Sequence, residues 1–127
     1  MRRHRRSAAA VMGLAAMALA TIAAGSGRAQ TVYPERVIKL IVPAPAGGQT
    51  DVMARLMAQK MQQSLGQSVV IENRAGAGGA LGARAAAAAD PDGYTLFYGK
   101  TSTLAVIPAV SKNAGYDPVK NYAPAWA

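Results

Sequence analysis

Short apolar runs recur along the chain and are separated by stretches of helical character. Residues 37–42 are aliphatic and mostly β-branched except for Lys39, a pattern typical of a strand covered on both faces of a parallel sheet. Residues 68–72 and 94–98 form two further runs, and the second is rich in the aromatic and β-branched residues that favour strands. The pattern therefore predicts three short strands.

Two helices are predicted between these strands. Residues 51–65 carry apolar side chains at helical spacing, with Thr50 placed as the N-cap and Gly66 as the glycine that ends the helix. Residues 80–89 are mostly alanine, which favours helix. The predicted buried face of the first helix consists of Val52, Met53, Leu56, Met57, Met61 and Leu65. The resulting β-α-β-α-β order predicts an α/β layer with right-handed crossovers.

Glycine-rich loops follow the first two predicted strands, at residues 43–48 and 73–82. A junction from a strand to a helix directs free N–H groups and the positive end of the helix dipole at one spot, which suits a carboxylate or a phosphate. Two such loops at the carboxyl ends of neighbouring parallel strands predict a ligand-binding crevice. The alternative, that residues 46–48 simply permit a tight turn, carries equal weight.

The region after the third predicted strand is less regular. Residues 99–103 form a small polar loop, and residues 104–110 have the composition of a short helix that stops near Pro108. Asp117 followed by Pro118 is typical of the start of another helix.

Neither of two familiar nucleotide motifs is present. Counting Gly-x-Gly-x-x-Gly from Gly76 places Leu81 at the third glycine of a dinucleotide-binding fingerprint. Residues 99–101 resemble the end of a P-loop, but Tyr94 stands where its first glycine is required. We therefore predict no nucleotide cofactor.

Two charged residues near the glycine loops allow both a ligand role and a structural role. Asp51 is negatively charged and close to the predicted anion site, so we interpret it as a group that complements the helix dipole. Arg74 has the chemistry to clamp a carboxylate. It can equally pair with Glu72 or Asp90 at the surface, and we favour that structural role.

The first 29 residues have the organisation of a secretory signal peptide. Residues 1–6 are cationic, residues 7–24 are mostly apolar, and Gly27 and Ala29 provide the small residues for cleavage after Ala29. An uncleaved membrane anchor is the alternative, although an alanine-rich run is only weakly hydrophobic. The pattern therefore predicts an exported protein.

The leader also accounts for the basic character of the chain. The chain of 127 residues has a formal net charge of +8, and residues 1–30 hold five of its 14 basic residues and none of its acidic residues. The remaining nine basic and six acidic residues give a net charge of +3, and the basic residues are scattered, without interleaved aromatic residues. We therefore expect no nucleic-acid partner.

Residue types exclude several kinds of catalytic and metal site. The chain has no cysteine, and its single histidine, His4, lies in the predicted leader. The rest of the sequence lacks the histidine of a Ser-His-Asp triad and the usual ligands of a zinc site. We therefore predict a protein without enzymatic activity and without a metal or other cofactor.

Several motifs, taken in their order along the chain, resemble the Bug family of periplasmic solute receptors, which serve tripartite tricarboxylate transporters. The residues that carry the resemblance are Tyr33–Pro43, Ala46–Asp51, Ala54–Leu56, Leu65–Gln67, Val69–Arg74, Gly76–Gly79, Pro91–Leu96 and Tyr116–Lys120. The similarity extends from about Tyr33 to Pro124, which is nearly all of the sequence after the leader. The ordered combination is specific to that family.

The resemblance implies a two-lobed periplasmic-binding-protein fold with a parallel-type sheet and flanking helices. Residues 36–127 would form an incomplete first lobe after a linker at residues 30–35. The resemblance implies that the fold closes over a small organic acid in the periplasm. It also implies membrane permease subunits of the transporter as partners. The residues that the resemblance places at the ligand are Ala46, Gly47, Gly48 and Thr50 in the first loop and Thr101, Ser102 and Thr103 in the third. The loop at residues 73–79 is implied to be a conformational element near the cleft.

Two departures from the family pattern affect these expectations. Family members often have His and Asn where Leu104 and Ile107 stand, which weakens the expectation of polar contacts from the third loop. Family members are also much longer, so we expect a truncated N-terminal fragment. Two alternatives remain open, a non-functional remnant and an α/β enzyme domain that acts on a phosphorylated substrate.

Overall fold

Three parallel strands form one sheet in the computed structural model, which describes residues 33–125. The strands are β1 (Ile38–Val42), β2 (Val69–Asn73) and β3 (Thr95–Phe97), and their order across the sheet is β2-β1-β3. The three predicted strands and their parallel arrangement are confirmed. The predicted signal peptide at residues 1–29 lies outside the described residues.

The register of the sheet brings the ends of the three strands to one edge. Val42 at the end of β1 pairs with Asn73 at the end of β2, and Ile41 pairs with Phe97 at the end of β3. Because all three strands run in the same direction, the loops that follow them leave from the same edge of the sheet.

Each connection between strands contains a helix on the predicted segment. Helix α1 (Gln49–Leu65) joins β1 to β2, and helix α2 (Ala80–Ala87), preceded by a short turn at Ala77–Gly79, joins β2 to β3. α1 ends at Gly66, whose left-handed backbone conformation (φ 67°) is the usual one for a glycine at this position. The predicted β-α-β-α-β order is confirmed.

The start of α1 differs from the prediction. The helix begins at Gln49 with Gly48 as its N-cap, so the prediction of Thr50 as the cap was wrong. The amide of Val52 donates to the carbonyl oxygen of Gly48 at 3.0 Å and closes the first helical turn. Thr50 therefore lies inside that turn rather than before it.

The buried face of α1 also differs from the prediction. The face that packs on the sheet consists of Asp51, Ala54 and Ala58, with Met61 half-buried. The larger residues Val52, Met53, Leu56 and Met57, which were predicted to be buried, are 40–54% exposed. Small alanine side chains allow a helix to lie close to a sheet, and this contact excludes the bulkier side chains from the interface.

The core lies between the sheet and α1. Ile38, Leu40 and Val42 of β1 are fully buried, as expected for the central strand of a sheet with neighbours on both sides. Ala44, Ala54, Ala58 and Val69 complete the buried cluster, and Ile71, Tyr94, Leu96 and Tyr98 pack against it while half-buried. Tyr94 and Tyr98, on either side of β3, therefore pack against the core.

The segment after β3 is helical earlier than predicted. A wide π-type turn at Ser102–Val106 leads directly into helix α3 (Ile107–Val110). The predicted polar loop therefore ends at Lys100. The hydroxyl oxygen of Thr103, within this helical segment, accepts a hydrogen bond from the amide of Lys100, which precedes the segment, at 3.1 Å. This local hydrogen bond satisfies an amide at the start of the segment.

The predicted helix at Asp117 is a single turn. A carboxylate oxygen of Asp117 accepts hydrogen bonds from the amides of Val119 and Lys120, at 2.9 and 3.1 Å. The amide of Asn121 donates to the carbonyl oxygen of Asp117 at 3.0 Å. The capping chemistry that the sequence suggested is therefore present, but it stabilises one turn and not a helix.

Residues 33–36, most of which fall in the predicted linker, are attached to the turn before β3. The hydroxyl of Tyr33 donates to the carbonyl oxygen of Gly93 at 2.7 Å, and the amide of Glu35 donates to the hydroxyl of Tyr94 at 3.0 Å. The guanidinium of Arg36 pairs with Asp92 at 2.5 Å. This part of the chain is therefore held against the folded unit.

Glycines allow the second loop to approach the first and third loops closely. A Cβ at Gly79 would lie 2.7 Å from Cγ2 of Thr103 and 3.2 Å from Cβ of Pro43, and the φ of Gly79 is +106°. A Cβ at Gly82 would lie 2.9 Å from the carbonyl oxygen of Arg74 and 3.0 Å from Cα of Pro43. Glycine is therefore required at these two positions for steric reasons.

We expect Gly79→Ala to lower the free energy of unfolding by about 3 kcal/mol, because the added methyl group would overlap two neighbours at a strained φ. Gly66→Ala is the matched control, since Gly66 also has a positive φ but its Cβ would meet no atom within 4 Å. The control should cost about 1 kcal/mol. Urea unfolding followed by circular dichroism measures both values, and equal losses would contradict the close approach at Gly79.

Candidate functional site

The three loops at the carboxyl edge of the sheet come together at Gly79. Pro43 begins the loop after β1, and Thr103 lies just after the loop that follows β3. Both approach Gly79 of the second loop at distances that leave no room for a side chain. The loops from which the sequence predicts a crevice therefore meet in one continuous region of the described structure.

The first loop is an accessible part of this region. Ala46, Gly47 and Gly48 are exposed and Thr50 is half-buried at the beginning of α1. The amides in the first turn of a helix have no acceptor within the helix. The positive end of the helix dipole adds to their attraction for an anion. This part of the site therefore offers neutral donors to a negatively charged group.

A buried carboxylate lies directly below the first loop. Asp51 is 2% exposed, and one of its oxygens accepts hydrogen bonds from the amide of Gly47 at 2.9 Å and from Nε of Arg55 at 2.8 Å. The other oxygen accepts from Nδ2 of Asn73 at 2.9 Å. The same Nδ2 donates to the carbonyl oxygen of Ala44 at 3.1 Å. Asp51 and Asn73 thus connect the loop, α1 and the end of β2.

These donors determine the charge state of Asp51. The guanidinium of Arg55, the amide of Gly47 and the side-chain amide of Asn73 hold the pKa of Asp51 well below its usual range. Asp51 in turn raises the pKa of Arg55. The carboxylate therefore stays ionised, and the adjacent positive charge compensates it.

The third loop presents its hydroxyl groups unequally. Thr101 is exposed and Ser102 is half-buried, whereas Thr103 is completely buried. The hydroxyl of Thr103 donates to the carbonyl oxygen of Lys100 at 2.9 Å, and the carbonyl oxygen of Thr103 accepts from the hydroxyl of Tyr116 at 2.5 Å. Thr103 is therefore fully engaged in supporting the loop.

Ser102 has an unusual environment. Its hydroxyl oxygen is buried and has no hydrogen-bond partner within residues 33–125. Buried hydroxyl groups are normally paired, so an unpaired one requires an explanation such as a ligand or a water molecule. Its position in a π-type turn is in keeping with this, because such turns are frequent at functional sites.

The supporting residues of the site were not predicted as a group. Asp51 is predicted to complement the helix dipole, and neither Arg55 nor Asn73 has an individual role in the prediction. The spacing of four residues between Asp51 and Arg55 is the signal that was available, because such residues face each other on a helix. Arg74 pairs with Glu72, which confirms the favoured structural role.

The described residues provide no metal cluster at this edge. Residues 33–125 contain no group of three or more His, Cys, Asp or Glu side chains that could hold a metal ion. An open cavity of about 540 Å³ is lined by Pro108 and residues 111–118, away from the glycine loops. None of the helices in the described part is long and apolar enough to cross a membrane.

The low pKa of Asp51 predicts a dependence of stability on pH. In the unfolded chain an aspartate titrates at about pH 3.9. The ionised carboxylate of Asp51 therefore stabilises the folded state fully above that pH, and this stabilisation is lost as the pH falls towards the lower pKa of the folded state. Asp51→Asn should therefore flatten the decrease in the urea midpoint between about pH 5 and pH 3. Asp92→Asn, which alters the exposed pair with Arg36, should retain most of that decrease. Parallel slopes for Asp51→Asn and the unmodified chain would contradict the buried network.

Comparison with protein families gives an independent result. The model of the "Tripartite tricarboxylate transporter family receptor" matches residues 53–125, which is more than half of the chain. A UPF0065 protein of Bordetella bronchiseptica is 41% identical over 126 residues, which cover 95% of this chain and 37% of that protein. Protein BugT of Bordetella pertussis is 51% identical over 83 residues, which cover 61% of this chain and 26% of BugT. The chain spans about a third of the length of the curated relatives it matches.

Solved structures show the same relationship. The periplasmic binding protein BugD is 42% identical with a TM-score of 0.69, and the match covers 72% of this chain and 30% of BugD. MatC of Rhodopseudomonas palustris, solved with bound malate, is 41% identical with a TM-score of 0.69, and the match covers 72% of this chain and 31% of MatC. A second Rhodopseudomonas palustris protein, solved with adipate, is 40% identical with a TM-score of 0.65, and the match covers 68% of this chain and 29% of that protein.

These matches confirm the resemblance and the fold class, a parallel sheet with flanking helices that forms part of a periplasmic-binding-protein fold. The chain belongs to the tripartite tricarboxylate transporter receptor family, which includes the Bug periplasmic receptors.

Proposed function

We propose that this chain supplies one wall of a cleft that binds a small carboxylate in an exported solute receptor. In this proposal the amides of Gly48 and the first turn of α1 receive a carboxylate group. The hydroxyl groups of Thr50, Thr101 and Ser102 provide further hydrogen bonds, while Ala46 and Gly47 give the ligand close access to the backbone. Thr103 holds the third loop in place.

The observation that carries this proposal is the meeting of three loops from parallel strands at Gly79, on the edge of the sheet where α1 also begins. Neutral amides and hydroxyls at such an edge stabilise an anion by donating hydrogen bonds to it. Two related structures contain the dicarboxylates malate and adipate, which supports the choice of ligand class. The relatives are solute-binding receptors, which supports a role in binding rather than in catalysis.

We also propose that the protein is periplasmic and that permease subunits of the transporter receive its ligand. The leader-like pattern at residues 1–29 and the periplasmic location of BugD support the first point. The family description supports the second. Together they describe a protein that collects a nutrient acid outside the cytoplasmic membrane.

Export is tested by the N-terminus of the mature protein. When the chain is expressed in a Gram-negative host, the periplasmic fraction should contain a species that begins at Gln30, because Ala29 precedes the predicted cleavage site. Intact-mass spectrometry and N-terminal sequencing identify this species. An unprocessed chain that remains in the membrane fraction would support the anchor alternative instead.

Ligand binding is tested on the exported chain by amide NMR spectroscopy. Malate and adipate should shift the amide resonances of residues 46–50 and 101–103, with an affinity of about millimolar because one wall cannot enclose the ligand. Thr50→Val should weaken malate binding by about tenfold, as expected for a hydrogen bond to a charged group. Thr95→Val, in β3 and away from the site, is the matched control and should bind normally.

The choice of titrant separates the alternatives. Dimethyl malate keeps the shape of malate without its charges and should produce no shifts at these amides. Stronger shifts with inorganic phosphate than with malate would favour an enzyme domain for a phosphorylated substrate. The absence of shifts with any carboxylate at tens of millimolar would favour a non-functional remnant.

A further inference from the structure

We infer that Asp51, Arg55 and Asn73 act as a positioning clamp. The clamp fixes the shape of the first loop, and its positive charge on Arg55 compensates the negative charge of Asp51, so that an anion can approach the loop. This inference rests on the proposed function, and it concerns how the site is maintained rather than which atoms touch the ligand. None of the three residues is among the predicted ligand contacts.

The geometry of the clamp fixes the loop at both ends. Asn73, at the end of β2, holds the carbonyl oxygen of Ala44 at the start of the loop, at 3.1 Å. Asp51, in the first turn of α1, holds the amide of Gly47 near the end of the loop, at 2.9 Å. The bond between Asn73 and Asp51, at 2.9 Å, joins these two attachments. The loop therefore cannot change shape without breaking a bond to a buried carboxylate.

The clamp also decides which amides remain free. The amide of Gly47 is used by Asp51, and the amide of Gly48 makes only a long contact of 3.4 Å with the carbonyl oxygen of Pro45. The amides of Gln49 and Thr50 follow in the first helical turn, where no acceptor exists within the helix. The clamp therefore selects this pair, together with Gly48, as the donors available to a ligand.

The charge of Asp51 creates a conflict that Arg55 resolves. An ionised carboxylate beside an anion site repels the ligand, and repulsion between charges is stronger where water is excluded. The guanidinium of Arg55 lies 2.8 Å from Asp51 and compensates its charge. Arg55 also reaches Oδ1 of Asn73 at 3.4 Å, so the same group joins the hydrogen-bond network.

These two effects of Asp51 predict opposite results for one substitution. If Asp51 merely repels anions, Asp51→Asn removes the repulsion and malate binds more tightly. If Asp51 positions the loop, the new amide group of the asparagine meets another donor in either orientation, Asn73 on one side or Gly47 and Arg55 on the other. The network then loses at least one hydrogen bond and the negative charge that strengthens the bond to Gly47. We expect the second result, a weakening of malate binding by about tenfold, since charge-assisted hydrogen bonds to the loop are lost.

The experiment compares Asp51→Asn, Asn73→Ala and Arg55→Gln in the exported chain, with Asp92→Asn as the matched control. Asp92 also pairs with an arginine, but it lies before β3 at the opposite edge of the sheet. The first readout is the amide resonance of Gly47, whose hydrogen bond to a carboxylate should move it downfield. This resonance should shift in Asp51→Asn and stay in place in Asp92→Asn.

The second readout is malate affinity from the same titrations. Asp51→Asn and Asn73→Ala should each weaken binding by about tenfold, and their effects should not add because both break one network. Arg55→Gln should also weaken binding, by leaving the charge of Asp51 uncompensated. Asp92→Asn should change affinity by less than about twofold, as expected for an exposed ion pair.

The outcomes separate the clamp from the ligand assignment. Tighter malate binding by Asp51→Asn, or an unmoved Gly47 resonance, would overturn the clamp. If the unmodified chain does not bind malate, the proposed function fails, while the Gly47 resonance still decides whether the clamp exists. If Asp51→Asn does not fold, Asn73→Ala provides the same two readouts with the carboxylate intact.

Discussion

The parallel pairing of β1 with both of its neighbours is the constraint on which the rest of the structure depends. Because β2 and β3 run in the same direction as β1, three loops leave from one edge and meet around Gly79. An antiparallel neighbour would send its loop to the opposite edge. The buried aliphatic residues of β1 maintain this arrangement, since the central strand packs against α1 through small alanine side chains.

The strands, the order of the elements and the loops at the carboxyl ends of the strands were predictable from the sequence, because these follow from patterns that are local in the chain. The sequence did not predict which face of α1 is buried. Hydrophobic periodicity favoured Met53 and Leu56, but contact with the sheet requires the smaller Ala54 and Ala58. The distance between a helix and a sheet is a tertiary property, and side-chain volume at the contact, rather than hydrophobicity alone, determines it. The early helical start at Ser102 escaped prediction for a different reason. The polar composition of residues 99–103 favours a loop, but Thr103 and Lys100 within it form the hydrogen bond that starts the helical segment.

The supporting residues of the site are polar or charged, and this is why the sequence pattern did not predict them in the interior. A buried aspartate is uncommon, and sequence patterns assign such a residue to the surface. Asp51 is stable in the interior because Arg55 is four residues away and Asn73 lies at the end of the neighbouring strand. The first partner can be read from helical spacing, whereas the second requires the sheet register. The clamp itself follows from the contacts of this chain.

The order of the strands has a consequence for growth of the fold. Within residues 33–125, β1 is the central strand, so β2 and β3 each have one side whose backbone groups face away from the sheet. Such margins accept additional strands by the same hydrogen bonding that joins the first three. Additional strands would widen the sheet beside β2 or β3, perpendicular to the direction in which the loops project. A larger protein built around this unit would therefore gain mass at its flanks while the edge that carries the three loops keeps its geometry.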